Sequence, residues 1–163
     1  MRVAGAGLLA LCCVFAGLCR AQEFAAQAKT AQLCLRFWRE FAAFLSYTRE
    51  TPREILLRLS GEQAYRELAF LHTAVQCPGT FCGAVQQAAQ QHRRELGACL
   101  GLMQELAAVP GASNLENQLE QMDILCGRLE AKAQELEQQA KQQGRLYRSV
   151  SLYGGALVFL LLL

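Results

Sequence analysis

Proline occurs at only three positions in this chain of 163 residues, Pro52, Pro78 and Pro110, and these positions limit how the chain can fold. A proline lacks the backbone N–H and clashes with the preceding helical turn, so helices tend to end before it or begin at it. The rest of the chain is rich in Ala, Leu, Gln and Glu, which lose little rotamer freedom in a helix. Strand candidates are nearly absent, and we predict an all-α fold.

Apolar residues recur at steps of three or four along the middle of the chain, which is the spacing of an amphipathic helix. One such stripe runs from Gln22 to Arg49. The sequence Thr51-Pro52-Arg53-Glu54 then forms a capping box, with threonine as N-cap, proline at the first helical position and glutamate three residues after the cap. Three shorter stripes after this second helix predict helices over residues 64–75, 80–94 and 96–106.

The last stripe begins after Pro110-Gly111, where Ser113 and Glu116 form another capping box. No proline follows Asn114, so one continuous helix is predicted from there into the C-terminal apolar segment. Gly127 and Gly144 each cost about 1 kcal/mol relative to alanine, which does not force a break. The pattern as a whole predicts a six-helix bundle between two terminal apolar segments.

The two apolar segments predict transmembrane helices. Val3 to Cys19 is an uncharged run between two arginines, and its length is about the short limit for a spanning helix. A cleaved signal peptide is the alternative, but Arg20 lies beside the would-be cleavage site. The C-terminal segment is shorter and needs interfacial tyrosines and local thinning of the bilayer to span it. We therefore predict an N-terminal transmembrane segment at 1–20, a helical bundle at 21–148 and a C-terminal transmembrane segment at 149–163.

The flanking charges predict how the chain is oriented. Basic residues follow the first segment and precede the second, whereas only Arg2 and the terminal amine lie outside. By the positive-inside rule the bundle faces the cytoplasm, and both termini lie on the far side as a membrane hairpin. The net charge of +2, from 16 basic and 14 acidic residues, gives no field that favours nucleic acid. The basic spots at Arg93-Arg94 and at 145–148 suit a membrane surface better than nucleic acid.

The eight cysteines admit two interpretations. Three lie in the N-terminal apolar segment, and the five in the bundle are an odd number that does not pair off. Buried reduced thiols in a cytoplasmic bundle are the favoured interpretation, and an exported, tail-anchored helical binding module with disulfides is the alternative. His72, Cys77, Cys82 and His92 are the strongest metal candidates, but their spacing is a loose version of known zinc patterns. No metal or cofactor site is predicted.

Motifs that carry catalysis are not visible in the sequence. The chain has no glycine-rich phosphate loop after a strand, no serine nucleophile elbow and no spacing that reveals a carboxylate pair in an apolar pocket. We therefore predict that the protein is not an enzyme.

Three stretches of the chain, taken together, resemble the stage III sporulation protein AB family of endospore-forming Firmicutes. The first is Ser46-Tyr47 followed by Thr51, Pro52 and Glu54, the second runs from Pro110 to Gln118, and the third leads from Arg145 into the terminal segment. The likeness covers nearly the whole chain. It implies that the structural or interaction motif comprises Ser46, Tyr47, Thr51, Pro52, Glu54, Asn114, Gln118, Arg145, Leu146 and Tyr147.

That family looks like a relative of the inner-membrane platform proteins of type II secretion and type IV pilus systems, which are cytoplasmic six-helix bundles attached to membrane helices. The resemblance implies an adaptor in the channel complex between mother cell and forespore, at the outer forespore membrane, with the bundle in the mother-cell cytoplasm. The implied partners are the complex's ATPase, stage III sporulation protein AA, the other membrane proteins of the complex and membrane lipid, without nucleic acid.

Overall fold

The computed structural model describes residues 2–48, 50–111 and 114–162, and every regular element in this part of the chain is helical. The predicted all-α class is confirmed, and six of the described helices have eight residues or more. Two 3-10 turns, Gln63–Tyr65 and Gly97–Cys99, lie between helices. In chain order the α-helices are α1 (Arg2–Tyr47), α2 (Pro52–Ser60), α3 (Ala69–Gln76), α4 (Phe81–Gln91), the short α5 (Arg93–Leu96), α6 (Leu100–Ala108) and α7 (Leu115–Leu162).

The chain divides into two compact units. The central unit is Lys29–Ala133, and the terminal unit comprises Met1–Ala28 and Gln134–Leu163. Among the residues described, no helix is both long and apolar enough to cross a membrane, so the predicted terminal transmembrane segments are not confirmed. Most side chains of the two predicted segments, 1–20 and 149–163, lie outside the described part of the chain.

The two long helices, α1 and α7, agree with the sequence pattern. Two boundaries among the shorter helices do not. Gly127 and Gly144 both lie inside the continuous helix α7, as predicted. The predicted third helix begins only at α3, because Leu68 before it has a non-helical backbone and the preceding residues form a 3-10 turn. The predicted fourth and fifth helices are separated by α5 and the second 3-10 turn. Gly97 has φ 50° at this break, a conformation that glycine adopts at little cost.

Aromatic side chains of α1 form the centre of the core. Phe37, Trp38 and Phe41 are at most 1% exposed. Phe37 meets the ring of Tyr65 edge to face, with 5.7 Å between centroids, and Phe41 stacks on Phe81 at 5.2 Å. Burying each such side chain contributes roughly 1.5–3 kcal/mol. The aromatic cluster therefore fixes α1 against the elements that follow it.

Ion pairs and hydrogen bonds define the two ends of the central unit. Lys29, its first residue, pairs with Glu67, so the turn before α3 lies beside the point where the chain enters. Arg53, at the start of α2, donates to the carbonyl oxygen of Gly79 at 2.6 Å. Because α2 runs away from Arg53 towards the turn before α3, the α3–α4 turn lies at the opposite end. We call these the entry end and the far end.

The last helix returns to the entry end. Arg39 of α1 donates to Glu130 of α7 at 2.8 Å, which joins the C-terminal part of α1 to the first third of α7. Lys132 lies close enough to Cys99, in the turn after α5, to lower the pKa of that thiol, although burial raises it more. The central unit therefore begins and ends at the entry end. In between, α2 packs on α3, α3 on α4, and α4 on α6.

Candidate interaction surface

The capping box predicted from the sequence is present at the start of α2. The backbone N–H of Thr51 donates to Oε2 of Glu54 at 2.7 Å, and the N–H of Glu54 donates to Oγ1 of Thr51 at 3.4 Å. Pro52 holds the first helical position, where its missing N–H is not needed. The hydrogen bonds from Thr51 lower the pKa of the Glu54 carboxyl, because they favour its charged form. The side chains of this turn thus fix its own geometry.

Ser46 and Tyr47 end α1 immediately before this turn. The hydroxyl of Ser46 donates to the carbonyl oxygen of Ala43 at 2.7 Å, so it is engaged within its own helix. Tyr47 is 89% exposed. A tyrosine offers a large, rigid contact area with a polar tip, and this residue type is enriched where proteins bind each other. Among the residues of the predicted motif in the central unit, Tyr47 is the one best suited to meet another molecule.

An open pocket lies beside the α1–α2 turn, lined by Thr48, Glu50, Glu54 and Arg58. Arg58 donates to Oε1 of Glu50 at 3.1 Å, and its guanidinium lies 4.9 Å from the centroid of the Phe44 ring. These contacts are partly exposed, so each stabilises the fold by roughly 1 kcal/mol or less. Their effect is to hold the last turn of α1 against α2, which fixes the surface around Tyr47.

Arg53 extends this surface to the next turn of the far end. Its guanidinium donates to the carbonyl oxygens of Gly79 at 2.6 Å and of Cys77 at 3.3 Å. Gly79 has φ 116°, so its carbonyl is presented by a backbone that an L side chain would strain. This contact could not be predicted from the local sequence, because the partners lie 26 and 24 positions away.

Asn114 and Gln118 form a separate local group at the start of α7. Oδ1 of Asn114 accepts from the N–H of Asn117 at 3.3 Å, and the Asn114 carbonyl accepts from the N–H of Gln118 at 3.1 Å. Ser113, which the sequence predicted as the cap, lies outside the described residues, and α7 begins at Leu115. Asn114 is therefore the residue that caps α7.

The profile of stage III sporulation protein AB matches residues 2–163, which is nearly the whole chain. The chain belongs to the stage III sporulation protein AB family. No curated protein and no solved structure matches it.

The third part of the predicted motif lies elsewhere in this stage III sporulation protein AB family member. Arg145 and Leu146 are exposed on α7, within the terminal unit. The side chain of Tyr147 lies outside the described residues. The structure therefore groups Ser46, Tyr47, Thr51, Pro52 and Glu54 at one turn and pairs Asn114 with Gln118, while residues 145–147 belong to the other unit.

The metal candidates are separated or already bonded in this family member. His72 is exposed, whereas Cys77 is buried. Nε2 of His92 lies 2.8 Å from Oγ1 of Thr73, and its Nδ1 lies 3.2 Å from Oε2 of Glu95. No group of three or more His, Cys, Asp or Glu among the described residues is placed to hold a metal ion.

The cysteines that the structure describes are free thiols: Cys19, Cys34, Cys77, Cys82, Cys99 and Cys126. Cys34 is fully buried, and burial raises the pKa of its thiol well above the usual value. Burial also raises the pKa of Cys126. Such thiols react slowly because little thiolate is present. This matches the interpretation of reduced core cysteines and gives no support to a disulfide-linked module in the stage III sporulation protein AB family member.

Proposed function

We propose that this chain serves sporulation as a membrane-attached structural adaptor, not as an enzyme, and that its far end binds a partner protein. The observation that carries the proposal is the family match over residues 2–163 together with the exposed Tyr47 on a fixed turn. Tyr47 lies beside a capping box, an arginine held over Phe44 and an open pocket. A rigid surface of this kind binds with little entropy loss on ordering.

The ends of the chain support attachment to a membrane. Val3 to Cys19 is uncharged, and an apolar run follows Tyr153. The central unit begins and ends at its entry end, so within this unit Tyr47 lies at the end remote from both Lys29 and Ala133. The basic residues beside the two segments favour a central unit on the cytoplasmic side.

The proposed partner is the ATPase of the same sporulation complex, stage III sporulation protein AA, together with the complex's other membrane proteins. The proposed location is the outer forespore membrane, with the central unit in the mother-cell cytoplasm. An adaptor of this kind needs a surface and an anchor, and it uses no metal or cofactor.

Thiol labelling in intact sporulating cells tests the location. Thr80 is exposed in the α3–α4 turn, and a Thr80→Cys variant of the full chain places a reactive thiol at the far end. A membrane-impermeant maleimide should label the new thiol only after lysis. The unsubstituted chain is the control for the native cysteines. Labelling in intact cells would place the far end outside the cytoplasm and overturn the proposed orientation.

Affinity measurements on the purified full chain test the docking surface. Hot-spot tyrosines typically cost 2 kcal/mol or more when truncated, so Tyr47→Ala should weaken binding of stage III sporulation protein AA by about 30-fold or more. Ile124→Ala is the matched control, because Ile124 is an exposed apolar residue on the side of α7. If neither variant lost binding, the Tyr47 surface would be excluded as the docking surface. Absence of binding by the unsubstituted chain would exclude the ATPase as a direct partner.

A further inference from the structure

The entry end of the central unit carries three exposed arginines, Arg66, Arg93 and Arg94. Glu67, which directly follows Arg66, pairs with Lys29 at the start of the unit. The backbone N–H of Ala69 donates to Oε1 of Glu95 at 3.2 Å, and this hydrogen bond brings α5 beside the turn that carries Arg66. The three arginines are therefore neighbours although they are distant in the sequence, and we call them the basic cluster.

The carboxylates near the basic cluster are engaged by other groups or stand apart from it. Glu67 pairs with Lys29, and Oε2 of Glu95 lies 3.2 Å from Nδ1 of His92. Glu62 is half-buried in the same turn. Within the described residues, no ion pair joins any arginine of the basic cluster to an acidic group. The three guanidinium groups are therefore available to another molecule.

A second charged surface follows one side of α7 and consists of three exposed carboxylates, Glu116, Glu120 and Asp123. Their spacing of four and three residues places them next to one another on a helix, where like charges repel. Among the residues that the structure describes, none of the three has an ion-pair partner. A cationic partner would relieve this repulsion. We call these residues the acidic stripe.

The acidic stripe lies towards the far end of the same unit. Arg39 of α1 donates to Glu130 of α7, and α7 reaches the boundary of the unit at Ala133, at the entry end. The earlier residues of α7 therefore lie towards the far end. From Glu130 back to Asp123 the helix spans about 10 Å, and back to Glu116 about 21 Å. These distances exceed the Debye length, so one chain cannot neutralise its own two surfaces.

We propose that the basic cluster of one copy of this chain binds the acidic stripe of a second copy. The two surfaces are complementary, with three positive charges against three negative charges, and a second copy supplies the matching surface in equal number. A contact between two different surfaces is heterologous, so a bound pair still presents one free cluster and one free stripe. Further copies then add to form a ring or a filament. The proposal goes beyond the adaptor role and does not depend on attachment to a membrane.

Charge reversal on each surface tests the contact. One variant of the full chain, called basic-reversed, carries Arg93→Glu and Arg94→Glu, and the other, called acid-reversed, carries Glu120→Lys and Asp123→Lys. An exposed ion pair changes an association constant by up to about fivefold, so inverting two pairs should weaken self-association of either variant by roughly tenfold or more. Energy transfer between donor-labelled and acceptor-labelled copies in a nonionic detergent measures the association.

A mixture of the two variants shows whether the two surfaces meet each other. The reversed cluster of one variant is complementary to the reversed stripe of the other, and their unsubstituted surfaces are complementary as well. Energy transfer in the mixture should therefore recover to the level of the unsubstituted chain and should fall several-fold in high salt. Recovery also shows that both variants are folded. Arg128→Gln, which removes an exposed arginine elsewhere on α7, should leave self-association unchanged.

Three results would overturn the proposal. Undiminished energy transfer within either variant alone would mean that other surfaces join the copies. Loss in both variants without recovery in the mixture would mean that the cluster and the stripe do not meet. Absence of energy transfer in the unsubstituted chain would exclude the second copy. Binding of labelled polyglutamate or double-stranded DNA to that chain, and not to the basic-reversed variant, would then assign the basic cluster to an acidic protein or to nucleic acid.

Discussion

The indole N–H of Trp38 donates a hydrogen bond to the sulfur of Met103 at 3.1 Å, across 65 positions of sequence. Both side chains are fully buried. A thioether is a weak acceptor, but an indole N–H left without any partner in the core costs about 1–3 kcal/mol. The pair therefore joins α1 to α6 by apolar packing and satisfies the one polar atom of the largest core side chain.

Met103→Leu should destabilise the protein by about 1–2 kcal/mol. Leucine fills a similar volume, so the loss comes mainly from the indole N–H that no longer has an acceptor. Met122→Leu is the matched control, because Met122 is also fully buried, and it should cost less than about 1 kcal/mol. Urea unfolding of the detergent-solubilised chain gives both values. Equal losses in the two variants would show that the Trp38 hydrogen bond contributes nothing measurable.

The sequence predicted the long helices, in which one apolar pattern repeats over many turns. It missed breaks between the shorter helices, because tertiary contacts help to determine where those breaks lie. The spacing of apolar residues and the absence of proline were enough for α1 and α7. The segment from Gln63 to Leu68 also has helical spacing, yet Tyr65 is drawn into the core against Phe37, and the backbone leaves the helical path. Nothing in the local sequence indicates that Tyr65 will contact a residue on another helix. Gly97 was a local signal for the second break, and its positive φ shows why.

Thr51→Ala should cost about 1–2 kcal/mol, at the upper part of the range for helix caps. This substitution removes the acceptor of the Glu54 N–H and also the hydroxyl that donates to the Glu54 carboxylate at 2.9 Å. Thr80→Ala is the control, since Thr80 caps α4 through a single contact to the N–H of Gly83 at 3.3 Å. The expected loss there is nearer 0.5 kcal/mol. Thermal unfolding of both variants measures the two losses of stability. A larger loss for Thr80→Ala than for Thr51→Ala would contradict the reciprocal capping box.

The candidate surface was predicted only in part, and the reason is physical. The capping box could be predicted because its residues are close together in the sequence, and their spacing determines which hydrogen bonds form. The contacts of Arg53 with Gly79 and Cys77 bridge two turns, so only the fold reveals them. The functional roles of Ser46, Tyr47, Asn114, Gln118 and residues 145–147 stay predictions, since exposure at Tyr47 identifies an available side chain but not its partner.

The stability of the protein should fall at alkaline pH because of Tyr65. Burial raises the pKa of its hydroxyl, and the neighbouring Glu40 carboxylate raises it further. The unfolded chain releases this proton from about pH 10, whereas the folded chain retains it, so the stability present below pH 10 is lost as the pH rises. The loss approaches about 1.4 kcal/mol per pH unit for this one group.

Tyr65→Phe should remove that part of the alkaline loss. At neutral pH the change should cost about 1 kcal/mol or less, because the buried hydroxyl lies beside the Glu40 carboxylate without a hydrogen bond of good geometry. Phe37→Leu, a change in the same core without a titrating group, should lower stability at every pH and keep the alkaline slope. Urea unfolding between pH 7 and pH 11 gives the comparison. An unchanged slope in Tyr65→Phe would assign the alkaline loss to the buried thiols Cys34, Cys99 and Cys126, whose pKa values burial also raises.

Arg53→Gln should open the α3–α4 turn without unfolding the central unit. The guanidinium is the donor that fixes the carbonyls of Gly79 and Cys77, and a shorter amide cannot reach both. Cys77 is 8% exposed in the unsubstituted chain, and in the variant its thiol should react several-fold faster with iodoacetamide under native conditions. Arg128→Gln is the matched control, because Arg128 is exposed and its nearest acidic partner is 3.9 Å away. Labelling rates are read by mass spectrometry at each cysteine.

The other buried cysteines distinguish local opening from general loosening. Cys126 lies on α7, far in sequence from the α3–α4 turn, and its labelling rate should not change in Arg53→Gln. If Cys77 and Cys126 became reactive together, the substitution would have lowered global stability, and the bridge would not be specific to the far end. If Cys77 kept its rate, packing alone would hold the turn. A selective increase at Cys77, with weaker binding of the partner, would show that Arg53 positions the surface beside Tyr47.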